Sequence, residues 1–321
     1  MKYKNLHNFR RSLCFKKYTD KDVQYIDFLK TRIAHNVPSD MGEMMLDFAL
    51  SKDYHAKVLK DIEEDCFLGK EPSLDPVVHL VVSQTGGGKT FLSDSILKEN
   101  KNIIFVESDS FKSYNPLAKH ILEFCPTYYG FLTGLDAYLH RDEIYEKALI
   151  GKYNILTEIA PSSKDNFFNV DFDKLLQCGY KIKLHFLAVS LNNSLLSIHE
   201  RYERQLNSGK VSKLTDLSRA LDSYKAMEDC LQSVINNEDV EVLLYKRGVM
   251  CQNPVFLTND KSKIMEAFYD ALQEDEFITS QSLSERINNI QISMSKRNAN
   301  TIEMNQFLKI KEIIQGKRKN A

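Results

Sequence analysis

VVHLVVSQTGGGKTF, residues 77 to 91, passes from an apolar, β-branched segment into three consecutive glycines, a lysine and a threonine. A short run of that kind suits a strand buried on both faces of a parallel sheet. Glycines tolerate positive φ and leave no side chain in the way, so Gly86, Gly87 and Gly88 can turn their N–H groups inward as a nest for a polyanion. Lys89 can then reach the β and γ phosphates of a nucleoside triphosphate, and Thr90 can offer its hydroxyl to Mg²⁺. The following FLSDSILKEN can form a helix whose positive end faces the same anion. Ser83, Gln84 and Thr85 complete the loop. Ser83 is its one departure from G-x-x-x-x-G-K-[ST], a small polar residue in place of the first glycine. The competing reading is a glycine-rich turn with an incidental lysine, and the strand before and helix after it count against that.

Outward from this turn the pattern repeats. NIIFV (102–106), YNILT (153–157), KLHFLAV (183–189) and VEVLLY (240–245) are further short apolar runs separated by helical stretches. Strands alternating with helices predict right-handed crossovers and a parallel α/β sheet flanked by helices, a P-loop NTPase or kinase-like fold. The long intervals after the second and fourth runs predict more than one helix each. Residues 1–70, with VQYIDFLKTRI and MGEMMLDFALSKDYHAKVL, read as a helical N-terminal extension, residues 71–258 as the nucleotide domain and residues 259–321 as a helical C-terminal extension. In the last, Met304, Phe307, Leu308 and Ile314 fall near one helical side, for packing on the chain's own domain or on a partner.

The 321 residues are 43% apolar and 27% charged, enough for a sizeable core. A net charge of -1 gives no global reason to bind nucleic acid or an anionic membrane. The end GKRKNA reads as a solvated tail. No run approaches the roughly 20 apolar residues of a membrane span, and none resembles a secretory leader. Six scattered cysteines without a C-x-x-C pair read as reduced thiols in a cytoplasm.

Chemistry is expected at the carboxyl edge of the sheet, where open α/β folds bind ligands. VESDSFKSYNP places Glu107, Asp109, Ser110 and Lys112 there. Asp109 suits either a general base for an attacking hydroxyl or a helix N-cap. ILTEIAPSS brings Glu158 to the same edge, with a surface glutamate as the bland alternative. In SLNNSLLSIHERYERQLNSGK, Arg201 and Arg204 lie on a helix with Lys210 and Lys213 just beyond. They suit a cationic lid for phosphoryl transfer, or a solvated face.

The order SQTGGGKT, ESDSFK, YNILTE and ERYER, from about residue 76 to about residue 250, resembles the zeta toxin family, P-loop kinases that phosphorylate UDP-N-acetylglucosamine at the sugar 3'-hydroxyl. The resemblance implies Lys89 as phosphate lysine, Thr90 as the Mg²⁺-linked hydroxyl and Asp109 as base. It also implies Glu158 as a sugar contact, Arg201 as a triphosphate contact and Lys210 in place of a second arginine. Ser110, Lys112 and Asp142, or Glu143 by a one-residue shift, fall among the substrate contacts. It implies ATP or GTP with Mg²⁺, a nucleotide-sugar acceptor, an antitoxin or chaperone as partner, and a bacterial cytoplasm or export as an effector. Two departures bear on the acceptor: Ala160 and Ser162 stand where the family has threonine and arginine. The alternatives are a kinase of another nucleotide such as NAD, or a nucleotide-dependent binding module without catalysis. A nucleic-acid kinase would need a basic stripe that the sequence lacks.

Overall fold

The computed structural model describes residues 49–124, 129–161, 172–208, 214–248 and 253–316. VQYIDFLKTRI, Ser162, Lys210, Lys213 and the basic tail lie outside them. The described residues form two compact units, one within residues 1–72 and 104–153, the other within residues 73–103 and 154–321.

The larger unit carries the sheet. β1 (Val77–Val82), β3 (Asn154–Ile159), β4 (Lys181–Ala188), β5 (Val240–Lys246) and β6 (Val255–Thr258) are its strands, and β2 (Ile103–Phe105) lies where the chain crosses to the other unit. The order is β2-β3-β1-β4-β5-β6. β1 pairs parallel with β3 and β4, and β4 with β5, whereas β6 runs antiparallel to β5. The expected parallel sheet is therefore present, with an antiparallel edge strand added. Val78, Leu80, Val81 and Val82 of β1 are fully buried, each stabilising the fold by roughly 1.5–3 kcal/mol. That burial holds the glycine turn at a fixed point on the sheet edge.

Helices α2 (Lys89–Glu99), α7 (Phe172–Gln177), α8 (Leu191–Asn207) and α9 (Leu217–Val234) belong to this unit, with α10 (Ile264–Lys296) and α11 (Thr301–Gly316) after the sheet. IMEAFYDALQ and QSLSERINNIQISM form one uninterrupted helix, α10, because no glycine or proline separates them. The reversal into α11 passes Asn298, in the left-handed region at φ 54. Leu195, Leu196 and Ile198 of α8 share a buried cluster with Leu283, Ile287, Ile290 and Met294 of α10 and Phe307, Ile310 and Ile314 of α11. The C-terminal helices thus pack on their own unit. Leu308 points outward, 47% exposed, because its neighbour Phe307 takes the core-facing position.

In the smaller unit, α1 (Lys52–Phe67) buries Tyr54, Val58, Ile62 and Cys66, one residue every turn. α3 (Ser108–Phe111), α4 (Ala118–Phe124), α5 (Tyr129–Leu132) and α6 (Gly134–Ile150) fill the interval between β2 and β3, as its length predicted. α1 is tied to α6 by polar contacts: Leu50 N–H donates to the Asp136 carboxylate at 3.2 Å, and His55 Nε2 lies 2.7 Å from Glu143 Oε2. His140 Nε2 donates to the His55 carbonyl at 3.2 Å while the two rings stack at 3.9 Å. No helix among the described residues is long and apolar enough to cross a membrane.

A second polar chain crosses the sheet. His79 Nδ1 is 3.0 Å from His185 Nε2, and His185 Nδ1 is 3.2 Å from the Tyr245 hydroxyl. Burial holds His79 and His185 neutral, with pKa values down at about 4 and about 3 from 6.5; Lys183 adds to the depression of His79, and His79 and Lys183 to that of His185. Burial likewise lowers His140 and His199 to about 4. A histidine whose folded pKa lies below its unfolded value is destabilised by protons. Stability is therefore complete above about pH 6.5 and falls as pH drops through the window from 6.5 towards 4. At about 1.4 kcal/mol per pKa unit, four such residues make the loss several kcal/mol. Thermal unfolding should show a Tm at pH 5 lower than at pH 7.5 by roughly 5–10 °C. His199 has neither ring nitrogen hydrogen-bonded among the described residues and lies against Phe307, so His199→Leu should flatten that slope. An unchanged Tm across this range would contradict the burial argument.

Candidate active site

The glycine turn keeps the geometry of a phosphate nest despite Ser83. Gly86 and Gly88 have φ of 83 and 97, and Gly87 N–H donates to the Gln84 carbonyl at 3.0 Å. A β-carbon on Gly86 would lie 2.4 Å from the Ser194 carbonyl and 2.8 Å from Ile198, so α8 presses directly on the loop. Ser83 is fully buried beneath it, its hydroxyl donating to the Leu187 carbonyl at 3.0 Å. A β-carbon on Gly87 would stand 2.1 Å from that hydroxyl oxygen. The serine is therefore accommodated because Gly87 has no side chain. Gly87→Ala should destabilise the chain by about 1–3 kcal/mol, and most of that loss should disappear in the Ser83→Gly background. Chemical unfolding of the four-member cycle measures the coupling, and additive effects would exclude it.

Gln84 and Thr85 serve the loop by packing. The Gln84 amide donates to the Val189 carbonyl at 2.6 Å and to Ser194 Oγ at 2.7 Å, while Thr85 N–H donates to Ser223 Oγ at 3.3 Å. These bonds hold the turn to the end of β4, to α8 and to α9. Lys89 Nζ donates to the Ser83 and Gln84 carbonyls at 3.1 and 3.3 Å, so the ammonium is folded over the loop.

Glu158 emerges from β3 onto the first turns of α2. Its Oε1 accepts from Ser93 Oγ at 2.8 Å. Burial raises its pKa, and the charge of Lys89 and hydrogen bonds from Ser93 and Thr90 oppose that rise. This puts the carboxylate beside the Thr90 hydroxyl and makes it more than a surface glutamate. The next carbonyl but one, Ala160, accepts from Arg219 Nη2 of α9 at 2.6 Å.

The ERYER segment is solvated at its arginines, whereas its tyrosine and glutamates are held by other helices. Glu200 forms a two-pronged ion pair with Arg286 at 2.6 and 2.7 Å, and Glu203 is 3% exposed and pairs with Arg297 at 2.6 Å. Tyr202 donates to Glu303 at 2.5 Å. Arg201 is exposed. It lies seven residues from Ser194 and three from Ile198, hence on the helix stripe that meets Gly86. Arg204 is exposed on the same helix.

In the smaller unit, the N-cap of α3 is Glu107, whose carboxylate accepts from Asp109 N–H at 2.9 Å and Ser110 N–H at 2.7 Å. Capping is therefore assigned to Glu107, and the Asp109 side chain is 74% exposed with Lys112 as its ion-pair partner. Lys112 is itself buried. Ser110 Oγ donates back to the Glu107 carbonyl at 2.7 Å. Asp142 is exposed and paired with Arg141 at 2.5 Å, while Glu143 is held by His55.

Arg247, one residue past β5, is a site residue that the sequence reading does not single out. Its Nη1 donates to Ser197 Oγ at 2.9 Å and to Gly86 O and Asn193 Oδ1 at 3.4 Å each. A basic residue just beyond the carboxyl end of a parallel strand was the available signal.

A family model described as Zeta toxin matches residues 62–273. Two relatives, each a Toxin zeta, from Streptococcus pyogenes and Enterococcus hirae, are 28% and 29% identical over 149 residues. The alignments cover 45% of this chain and 50% and 51% of theirs. The chain thus spans about half the length of these relatives. Among solved structures, one from the PezAT chromosomal toxin-antitoxin system of Streptococcus pneumoniae superposes with TM-score 0.59 at 20% identity, over 74% of this chain and 98% of that one. A chain of the native AvrRxo1-ORF1:-ORF2 complex gives 0.51 at 15%, over 81% and 91%. At such identities the structural likeness is one of fold.

Proposed function

The chain belongs to the zeta toxin family, and from that premise we propose that it is a kinase moving the γ-phosphoryl group of ATP or GTP to a hydroxyl of a nucleotide sugar, with UDP-N-acetylglucosamine the first acceptor to test. The observation that carries this reading is the loop itself: two left-handed glycines, an ammonium folded over the turn and a helix opening at Lys89. Such a nest holds a polyphosphate through backbone amides and the helix end. Lys89 and Arg201 are assigned to the phosphates, and Asp109 to accepting the proton of the acceptor hydroxyl as its oxygen attacks the γ phosphorus.

Mg²⁺ fits the oxygen donors Thr90 and Glu158. A mostly buried carboxylate whose ionised form is penalised gains from a hard cation beside it. When bound, the ion would neutralise charge on the phosphate oxygens. The relation of the PezAT structure to a toxin-antitoxin system supports proposing an inhibitory protein partner for this chain as well.

The departures at Ala160 and Ser162 concern acceptor contacts and leave NAD as the second acceptor to test. The 321-residue chain with Mg·ATP should convert UDP-N-acetylglucosamine to a product heavier by one phosphoryl group in mass spectrometry. A protein that binds ATP yet modifies neither UDP-sugars nor NAD would reduce the family fold to a nucleotide-dependent binding module.

A further inference from the structure

We infer that Phe91 and Arg247 form the two faces of a slot for the purine base of the donor nucleotide. This inference rests on the phosphate-loop reading above. The position that a β-carbon on Gly88 would take lies 3.9 Å from Phe91 Cδ2 and 4.0 Å from Arg247 Nε, and beyond the adjoining residues these are the only atoms of the described chain within 4 Å of it. An aromatic edge and a guanidinium therefore both border one point on the rim of the loop, each at about the 3.5–4 Å separation of a van der Waals contact. Any side chain at residue 88 would project into that space.

Phe91 is a large apolar side chain left 41% exposed beside a polar loop. Its place in the first turn of α2, one residue after Thr90, is fixed by the helix that begins at Lys89. Arg247 is pinned through Nη1 by Ser197, Asn193 and the Gly86 carbonyl. Hydrogen bonds lie in the plane of a guanidinium, so they set its orientation while leaving its faces able to stack on an aromatic ring. A flat heterocycle tethered to a triphosphate on the loop suits a space with a π face on one side and a delocalised cation on the other.

Stacking is tolerant of base identity because every base has a π face. The slot therefore does not discriminate between the two purine donors, and ATP and GTP should bind within a few-fold of each other.

The test compares ATP with inorganic tripolyphosphate, which carries the anion without the base, by calorimetry on the 321-residue chain. Phe91→Ala should weaken ATP binding about 10-fold or more and leave tripolyphosphate affinity unchanged, Arg247→Ala should weaken ATP by a larger factor than tripolyphosphate, and Phe91→Trp should retain ATP. Equal losses of both ligands in Phe91→Ala, or in Arg247→Ala, would make the defect one of phosphate binding and overturn the slot. So would a wild type that binds ATP no better than tripolyphosphate, with the phosphate loop still standing. A wild type that binds neither ligand would overturn the phosphate reading and the slot with it. Because binding alone is read, an absence of phosphoryl transfer leaves the slot intact and counts only against the kinase.

Discussion

Lys89→Met should lower phosphoryl transfer by a factor of about 100 to 1,000, and weaken ATP and tripolyphosphate together, without unfolding the protein. The loop offers an anion backbone amides and an ammonium folded over the turn, 3.1 and 3.3 Å from the Ser83 and Gln84 carbonyls. Those carbonyls are modest acceptors, so a phosphate can draw the ammonium away at little cost, and the charge-assisted bonds to phosphate are the stronger ones. Methionine keeps most of the aliphatic stem and its packing while removing the charge. A large loss in transfer from a protein that still folds, its Tm lowered by no more than a few degrees through the lost counter-charge to Glu158, is therefore the expected pattern. Transfer at the wild-type rate would show that Lys89 takes no part in the reaction.

Asp109→Asn should cost a factor of about 100 to 10,000 in kcat while ATP affinity stays where it was. The amide is close in shape to the carboxylate but has lost its basicity. The structure separates this role from capping, because the N-terminus of α3 is capped by Glu107; what asparagine loses structurally is the ion pair with the buried Lys112, which a Tm measurement reads separately from kcat. Glu107→Ala is the matching control: it should lower stability by about 1 kcal/mol through the lost cap, with Asp109 still present. Measured side by side, the two variants separate proton transfer from helix capping. An Asp109→Asn protein that turns over normally would remove the base from the proposed mechanism.

These expectations draw on the sequence and the tertiary structure to different degrees. Residues 77 to 91 declare strand, nest and helix because each is a short-range matter: a buried β-branched run, glycines at positive φ, a lysine and a threonine one and two residues on. The other apolar runs each became a strand, with ends shifted by a residue or two. β6 is only three apolar residues and a threonine set between NP and ND, too short a run to distinguish an edge strand from a loop. Its pairing with β5 comes from backbone hydrogen bonding at the edge of a sheet.

What the amino-acid order determined by itself is the α/β class, the glycine turn between strand and helix and the set of chemically competent side chains. The tertiary structure alone decided which of them meet. It turned Glu158 onto Ser93 and Thr90, gave the cap to Glu107 instead of Asp109, brought Arg247 to Gly86, and tied Glu200 and Glu203 to arginines on the C-terminal helix α10 and just beyond its end. Local backbone preference acts over a few residues and can be read along the chain. A hydrogen bond such as that from Arg286 to Glu200, across 86 residues, exists only once burial of the cluster between α8, α10 and α11 has packed the helices together.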